Sequence, residues 1–244
     1  MMLGSGGWPE PAALPGEATR PYRLARFVVD VHQHWLPLQV MESSWAGRFY
    51  DTSEVYPYFE FAEANGYTIY MHPPQLPYGF EIMNKWRLEE VTGRPGDTAM
   101  SVARMIFSGL LDGFPGIKIV LAHMGGGVIP ILGRLDFARR LGYHGLPAEM
   151  HARNKLRPSD YIRRNFYADT MGFNLPMLTA AATVFGPGRL MFGSDYGPVP
   201  ISPAERIGLV SQLPLTAAER ENVFWRTASQ QFGLSPGTAP AVPG

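Results

Sequence analysis

The chain has 244 residues, with 21 Lys+Arg against 21 Asp+Glu, no cysteine, 45% hydrophobic and 17% charged residues. Balanced charge argues against a nucleic acid or an anionic membrane as partner, and a chain without cysteine has neither disulfides nor thiolate metal sites. The composition is that of a globular protein, no apolar run approaches the ~18 residues of a membrane span, and residues 1–20 lack the basic-then-apolar order of a signal peptide, so a cytoplasmic location is expected. Both ends are rich in Gly and Pro, and residues 1–24 and 235–244 are expected to be poorly ordered tails around a folded body at 25–234.

The body alternates β-like runs with helical patterns. The run Arg26-Phe27-Val28-Val29-Asp30-Val31 leads directly into His32-Gln33-His34. A helical stretch from Ser53 to Ala64 stops at Asn65-Gly66, and Tyr67 to Met71 forms a run closed by His72-Pro73-Pro74. Asp97 is expected to N-cap the next helix, whose apolar positions Ala99, Val102, Ala103, Ile106, Phe107 and Leu110 follow the spacing of a buried face. Ile117 to Ala122 is nearly all apolar, as in a parallel strand covered on both faces, and ends at His123. Gly125-Gly126-Gly127 makes a turn into a helix carrying Pro130 and running to about Leu141. Two more short strands end at Asp169 and at Gly193-Ser194-Asp195, and Thr216-Ala217-Ala218-Glu219 has the capping-box spacing for the last helix. Strand–helix alternation specifies an α/β protein with a parallel sheet, and the polar residues follow the strands, at the rim where β/α barrels build their sites.

Residues i and i+2 of a strand share a face, so the imidazoles of His32 and His34 can converge on one cation. His72 and Asp195 end two other strands, and three nitrogens with one carboxylate oxygen make a zinc-type site; manganese or iron are alternatives, because affinity alone does not select the metal. His123 ends a fourth strand, as acid/base or further ligand. The competing explanations are ordinary ones: a lone His after a strand is usually a surface or capping group, and Asp195 could simply cap a helix. Against them stands the clustering, since four of the six His follow expected strands. His144 and His151 fall in a polar connection and are expected at the surface.

The segments Val29-Asp30-Val31-His32-Gln33-His34, Met71-His72-Pro73, Leu121-Ala122-His123-Met124-Gly125-Gly126 and Gly193-Ser194-Asp195-Tyr196 resemble signatures of the amidohydrolase-related family, in its aminocarboxymuconate-semialdehyde decarboxylase-like branch. Asp97-Thr98-Ala99, Phe107 to Leu110, Phe114 to Val120, Gly133-Arg134-Leu135-Asp136 and Pro158-Ser159-Asp160-Tyr161 are similar to that branch as well. The resemblance implies a TIM-type barrel with a divalent metal, zinc favoured and manganese the alternative, held by His32, His34, His72 and Asp195. It implies His123 as catalytic histidine; in a decarboxylation Asp195, or metal-bound water shuttled by His123, would protonate the carbon that loses carbon dioxide. Binuclear relatives use a carbamylated lysine, and Lys85, Lys118 and Lys155 are all poorly placed for one, which favours a mononuclear site.

The same resemblance exposes a gap. It makes the His-x-His strand the first of eight and the His-Pro strand the fifth, yet only 38 positions (72 − 34) separate His34 from His72, where strand–helix units of ~30 residues need far more. The expectation is a shortened barrel of about five strand–helix units, lacking the second to fourth strands. Its open edges must pair with each other, face a second copy in a homo-oligomer, or lie exposed. The implied function is decarboxylation of a small aromatic or unsaturated carboxylic acid. Hydrolysis of a lactone, ester or amide is the alternative, and a non-catalytic relative binding a partner chain is the third. Trp35 and Tyr196 are candidates for the walls of a flat substrate's pocket.

Overall fold

Five parallel strands lie side by side in chain order: β1 (Val40–Glu42), β2 (Thr68–His72), β3 (Lys118–Leu121), β4 (Phe166–Asp169) and β5 (Leu190–Met191). They belong to a computed structural model that describes residues 29–32, 40–44, 48–138, 140–142 and 144–234. The two expected tails, the start of the first run, His34 and Trp35 lie outside the described residues. Registers pair Met41 with Met71, Tyr70 with Val120, Val120 with Tyr167 and Ala168 with Leu190. Segment 29–32 runs beside β5, with Val31 N donating to Phe192 O at 2.9 Å and Asp195 N to His32 O at 2.8 Å.

The strands are joined by helices: α1 (Tyr56–Ala64), α2 (Arg94–Phe107), α3 (Leu110–Gly113), α4 (Val128–Ala138), α5 (Pro158–Asn165), α6 (Leu175–Phe185), α7 (Pro203–Ser211), α8 (Ala217–Glu221) and α9 (Thr227–Phe232). Thr216 caps α8 through the expected box, accepting from Glu219 N, and Ser202 does the same for α7 with Glu205. The expected face of α2 is buried at Ala99, Val102 and Ile106, and its helix breaks at Gly109, where φ is +81°. Among the described residues no helix is long and apolar enough to cross a membrane.

Alternation along the strands separates two apolar layers. Ile69 and Met71, Ile119 and Leu121, Phe166 and Ala168, and Leu190 join the larger core, which also takes in Val102 and Ile106 of α2 and Leu178 of α6. Each of these side chains larger than alanine contributes roughly 1.5–3 kcal/mol by leaving water. Tyr70, Val120, Ala122, Tyr167 and Met191 turn to the opposite face and pack with Val31 and with Ala228 of α9. Thr68, at the start of β2, donates its hydroxyl to Gln231 O at 3.1 Å. Thus α9 closes the N-terminal end of this inner face, and the C-terminal end is left for polar residues.

Two expectations are corrected. The edge of β2 is covered by β1, a strand the sequence reading did not anticipate: three residues without alternation carry no period. Asp97 does not cap α2, because a π-helical turn (Glu89–Gly93) runs straight into that helix at Arg94. Asp97 is instead buried in the first turn, accepting from the hydroxyls of Ser43 and, at 2.7 Å, Ser44, and from Tyr78 N at 2.9 Å. It pins the end of β1 and the segment after β2 to α2. Asp97→Ala strands these donors and is expected to cost about 1–3 kcal/mol, read as a lower urea midpoint; an unchanged midpoint would remove the anchoring role.

Candidate metal centre

The ends of the strands assemble the site. His72 shares the inner face of β2 with Tyr70, and Asp169 shares that of β4 with Tyr167. His32 follows Val31 at the other end of the sheet, His123 follows Ala122 beyond β3, and Asp195 lies three residues past Phe192. The imidazoles of His32, His72 and His123 each offer a nitrogen, all within 4.8 Å of one another. Ring centroids are 5.3 Å apart for His32–His72, 4.9 Å for His32–His123 and 5.2 Å for His72–His123. Asp195 completes the group, with Oδ1 3.2 Å from His32 Nε2 and Oδ2 3.5 Å from His123 Nε2.

The surrounding polar groups orient these rings. His72 Nδ1 lies 2.7 Å from Pro73 O, an acceptor only, which puts the proton on Nδ1 and makes Nε2 the acceptor nitrogen of the ring. His32 Nδ1 lies 2.6 Å from Asp169 Oδ2. Asp30 accepts from His32 N at 3.1 Å, Ser194 N at 2.9 Å and the Ser194 hydroxyl at 2.5 Å, tying the loop that carries Asp195 to the His32 segment. His123, Met124 and Asp195 all have left-handed backbones, with φ of +56°, +57° and +54°; such strain in non-glycine residues collects at functional sites. A Cβ on Gly193 would fall 2.8 Å from His32 Cβ and 2.9 Å from Asp169 Cβ, so only glycine lets these two side chains meet across the end of β5.

Charge follows the geometry. Burial works against the His32 imidazolium, but the charge and hydrogen bond of Asp169, joined by Asp195, hold its pKa up at about 10 in the metal-free protein. Burial likewise works against both carboxylates; His123 and His32 outweigh it at Asp195, and His32 does so at Asp169, keeping both below the usual range. Burial and Asp169 push the Tyr70 phenol well up.

His32, His72, His123 and Asp195 are therefore brought together as expected, while His34 lies outside the described residues. The helix-cap explanation of Asp195 fails, because α7 is capped by Ser202. Tyr196 is exposed, as is His144, and His151 Nε2 lies 3.0 Å from Leu146 O; neither His144 nor His151 belongs to the cluster. Lys118 starts β3, at the end away from the site. Two residues escaped the sequence reading, Asp169 and Tyr70. The signal for Asp169 was present, since it ends a strand as the others do. A cleft of about 710 Å³ lies beyond β1, lined by Arg48, Phe49, Tyr50, Tyr78 and Arg104 among others, and shares no residue with the cluster. Three imidazole nitrogens beside a carboxylate are a donor set that fits a divalent transition metal.

Known proteins give this geometry a context. The 2-amino-3-carboxymuconate-6-semialdehyde decarboxylase of Dictyostelium discoideum is 26% identical over 204 residues, 82% of this chain and 54% of that protein. The crystal structure of 5-carboxyvanillate decarboxylase from Sphingomonas paucimobilis superposes with a TM-score of 0.71 at 31% identity, covering 80% of this chain and 58% of that one. The dihydroxybenzoic acid decarboxylase of Polaromonas sp. JS666, solved with bound manganese and the inhibitor 2-nitroresorcinol, superposes with a TM-score of 0.66 at 26% identity, covering 77% and 56%. The chain thus spans little more than half the length of these relatives. A profile of the amidohydrolase family matches residues 8–234, and the chain belongs to that family.

Proposed function

We propose that the chain is a metal-dependent decarboxylase of a small aromatic or unsaturated carboxylic acid. The observation that carries this is the meeting of three imidazoles and one carboxylate, from the ends of β2, β3 and β5 and from the segment beside β5, within one cluster. The decarboxylases among its relatives support the choice of reaction. His32, His34, His72 and Asp195 would hold the ion. Their donor set suits zinc, while the manganese of the Polaromonas relative supports manganese. When bound, the ion supplies a Lewis acid and a template for the substrate's carboxylate and a neighbouring oxygen.

The protein's own groups do the rest. Loss of carbon dioxide breaks a carbon–carbon bond and leaves its electron pair on the substrate carbon, which must then receive a proton. His123 Nε2 lies 3.5 Å from Asp195 Oδ2, and in this reading His123 carries that proton while the Asp195 carboxylate aims it. Beneath the cluster lies the apolar layer of Val31, Val120, Ala122 and Met191, which keeps water from below. Association of two copies along the sheet edges is part of the proposal, and mass photometry reads it.

The test is release of carbon dioxide from 2,6-dihydroxybenzoate, 5-carboxyvanillate and related acids by the full chain reconstituted with manganese or zinc. Metal-dependent release is expected. Ester or lactone cleavage without carbon dioxide would replace this reading with hydrolysis, and stoichiometric metal without turnover on either panel would replace it with a non-catalytic role.

A further inference from the structure

We infer that Asp169 is the positioning carboxylate of this site, setting both the ring of His32 and the turn that carries His123. The inference rests on the metal-centre reading above. Asp169 is fully buried at the end of β4. Its Oδ2 accepts from His32 Nδ1 at 2.6 Å and from the Tyr70 hydroxyl at 2.8 Å. Its Oδ1 accepts from Met124 N at 3.2 Å and Met171 N at 3.0 Å. A carboxylate has about four lone-pair positions, and these four donors occupy them. Asp169 therefore has no lone pair to spare for the ion and is a partner of the ligands.

Two consequences follow from that saturation. An acceptor at Nδ1 keeps the neutral His32 ring protonated there, so its Nε2 lone pair faces His72, His123 and Asp195. Carboxylates behind metal-binding histidines act in this way. At the other oxygen, the bond from Met124 N fastens the turn in which His123 and Met124 both have left-handed backbones. One side chain thus fixes a metal-facing ring from the segment beside β5 and the proton-carrying ring from the turn after β3. Gly193 makes the contact sterically possible, as its missing Cβ lets His32 and Asp169 meet.

Asp169→Asn changes almost no volume and tests the point. An amide has one acceptor oxygen and one donating nitrogen. The N–H groups of Met124 and Met171 cannot reverse, so the amide oxygen must face them and the NH₂ must face His32 Nδ1. His32 then carries its proton on Nε2, where the ion should bind. Zinc and manganese affinity, measured by equilibrium dialysis of the full chain, is expected to fall about 10–100-fold, with the circular dichroism spectrum unchanged. In parallel, ¹⁵N-resolved imidazole spectra of the zinc-loaded wild type should show His32 protonated at Nδ1 and bound through Nε2. This second measurement holds even if the variant does not fold. Wild-type affinity in Asp169→Asn, or a wild-type His32 bound through Nδ1, would overturn the role of Asp169 alone. A wild type that takes up neither ion would overturn the metal reading and this inference with it.

Discussion

His32→Ala is expected to lose both the ion and the activity. His32 is the most enclosed of the three imidazoles and stands between two carboxylates, Asp169 at 2.6 Å and Asp195 at 3.2 Å. Removing it deletes a proposed ligand and leaves two buried anions without the cation between them. Loss of one partner from a buried pair costs about 3–5 kcal/mol, so the metal-free variant should also melt lower than the metal-free wild type. The pH dependence has a defined sign. The folded pKa of His32, about 10, lies above the ordinary 6.5, so its stabilising contribution is complete below pH 6.5 and is lost as pH rises towards 10. The gap in melting temperature between the metal-free wild type and His32→Ala should therefore narrow from pH 6.5 to pH 10. Elemental analysis of the purified variant, with melting curves across that range, checks both parts; about one ion per chain retained in His32→Ala would remove it from the ligand set.

How much of this was legible in the sequence depends on distance along the chain. Strand ends could be read because a parallel strand buried on both faces is a short apolar run, and β2, β3, β4 and β5 each end at or near a polar residue. The convergence of His32, His72, His123 and Asp195 follows once those strands are laid parallel. What could not be read depends on contacts between distant segments. Asp97 looked like a cap because of its place before an amphipathic pattern, but its partners Ser43 and Ser44 lie more than fifty residues away. Asp169 ended a strand like the others, yet nothing next to it in sequence shows that its oxygens meet His32, 137 positions away. β1 was invisible for a different reason, since it is defined by pairing with β2 and not by any pattern of its own. It changes the expected architecture too: among the described residues, the strand bearing His72 is no longer at the sheet's edge, and a three-residue strand outside it takes that place.

His123 separates proton transfer from metal binding, and here the choice of variant matters. Its Nε2 lies 3.5 Å from Asp195 Oδ2, and its ring is within reach of the same ion as His32 and His72. If it carries the proton, its removal should lower kcat by about 10²–10⁴-fold while the ion stays. If it is an obligatory ligand, ion and activity should vanish together. Alanine alone confuses the test, because residue 123 has φ of +56°, a conformation that costs alanine more than asparagine. His123→Asn keeps the turn at little backbone cost but lacks the imidazole. The expected pattern is therefore a melting temperature nearer wild type for His123→Asn than for His123→Ala, with both variants retaining ion and both equally inactive. Recovery of activity in the asparagine variant would mean that the turn, and not the ring, limits catalysis; loss of the ion from both would move His123 into the ligand set and leave the proton to Asp195.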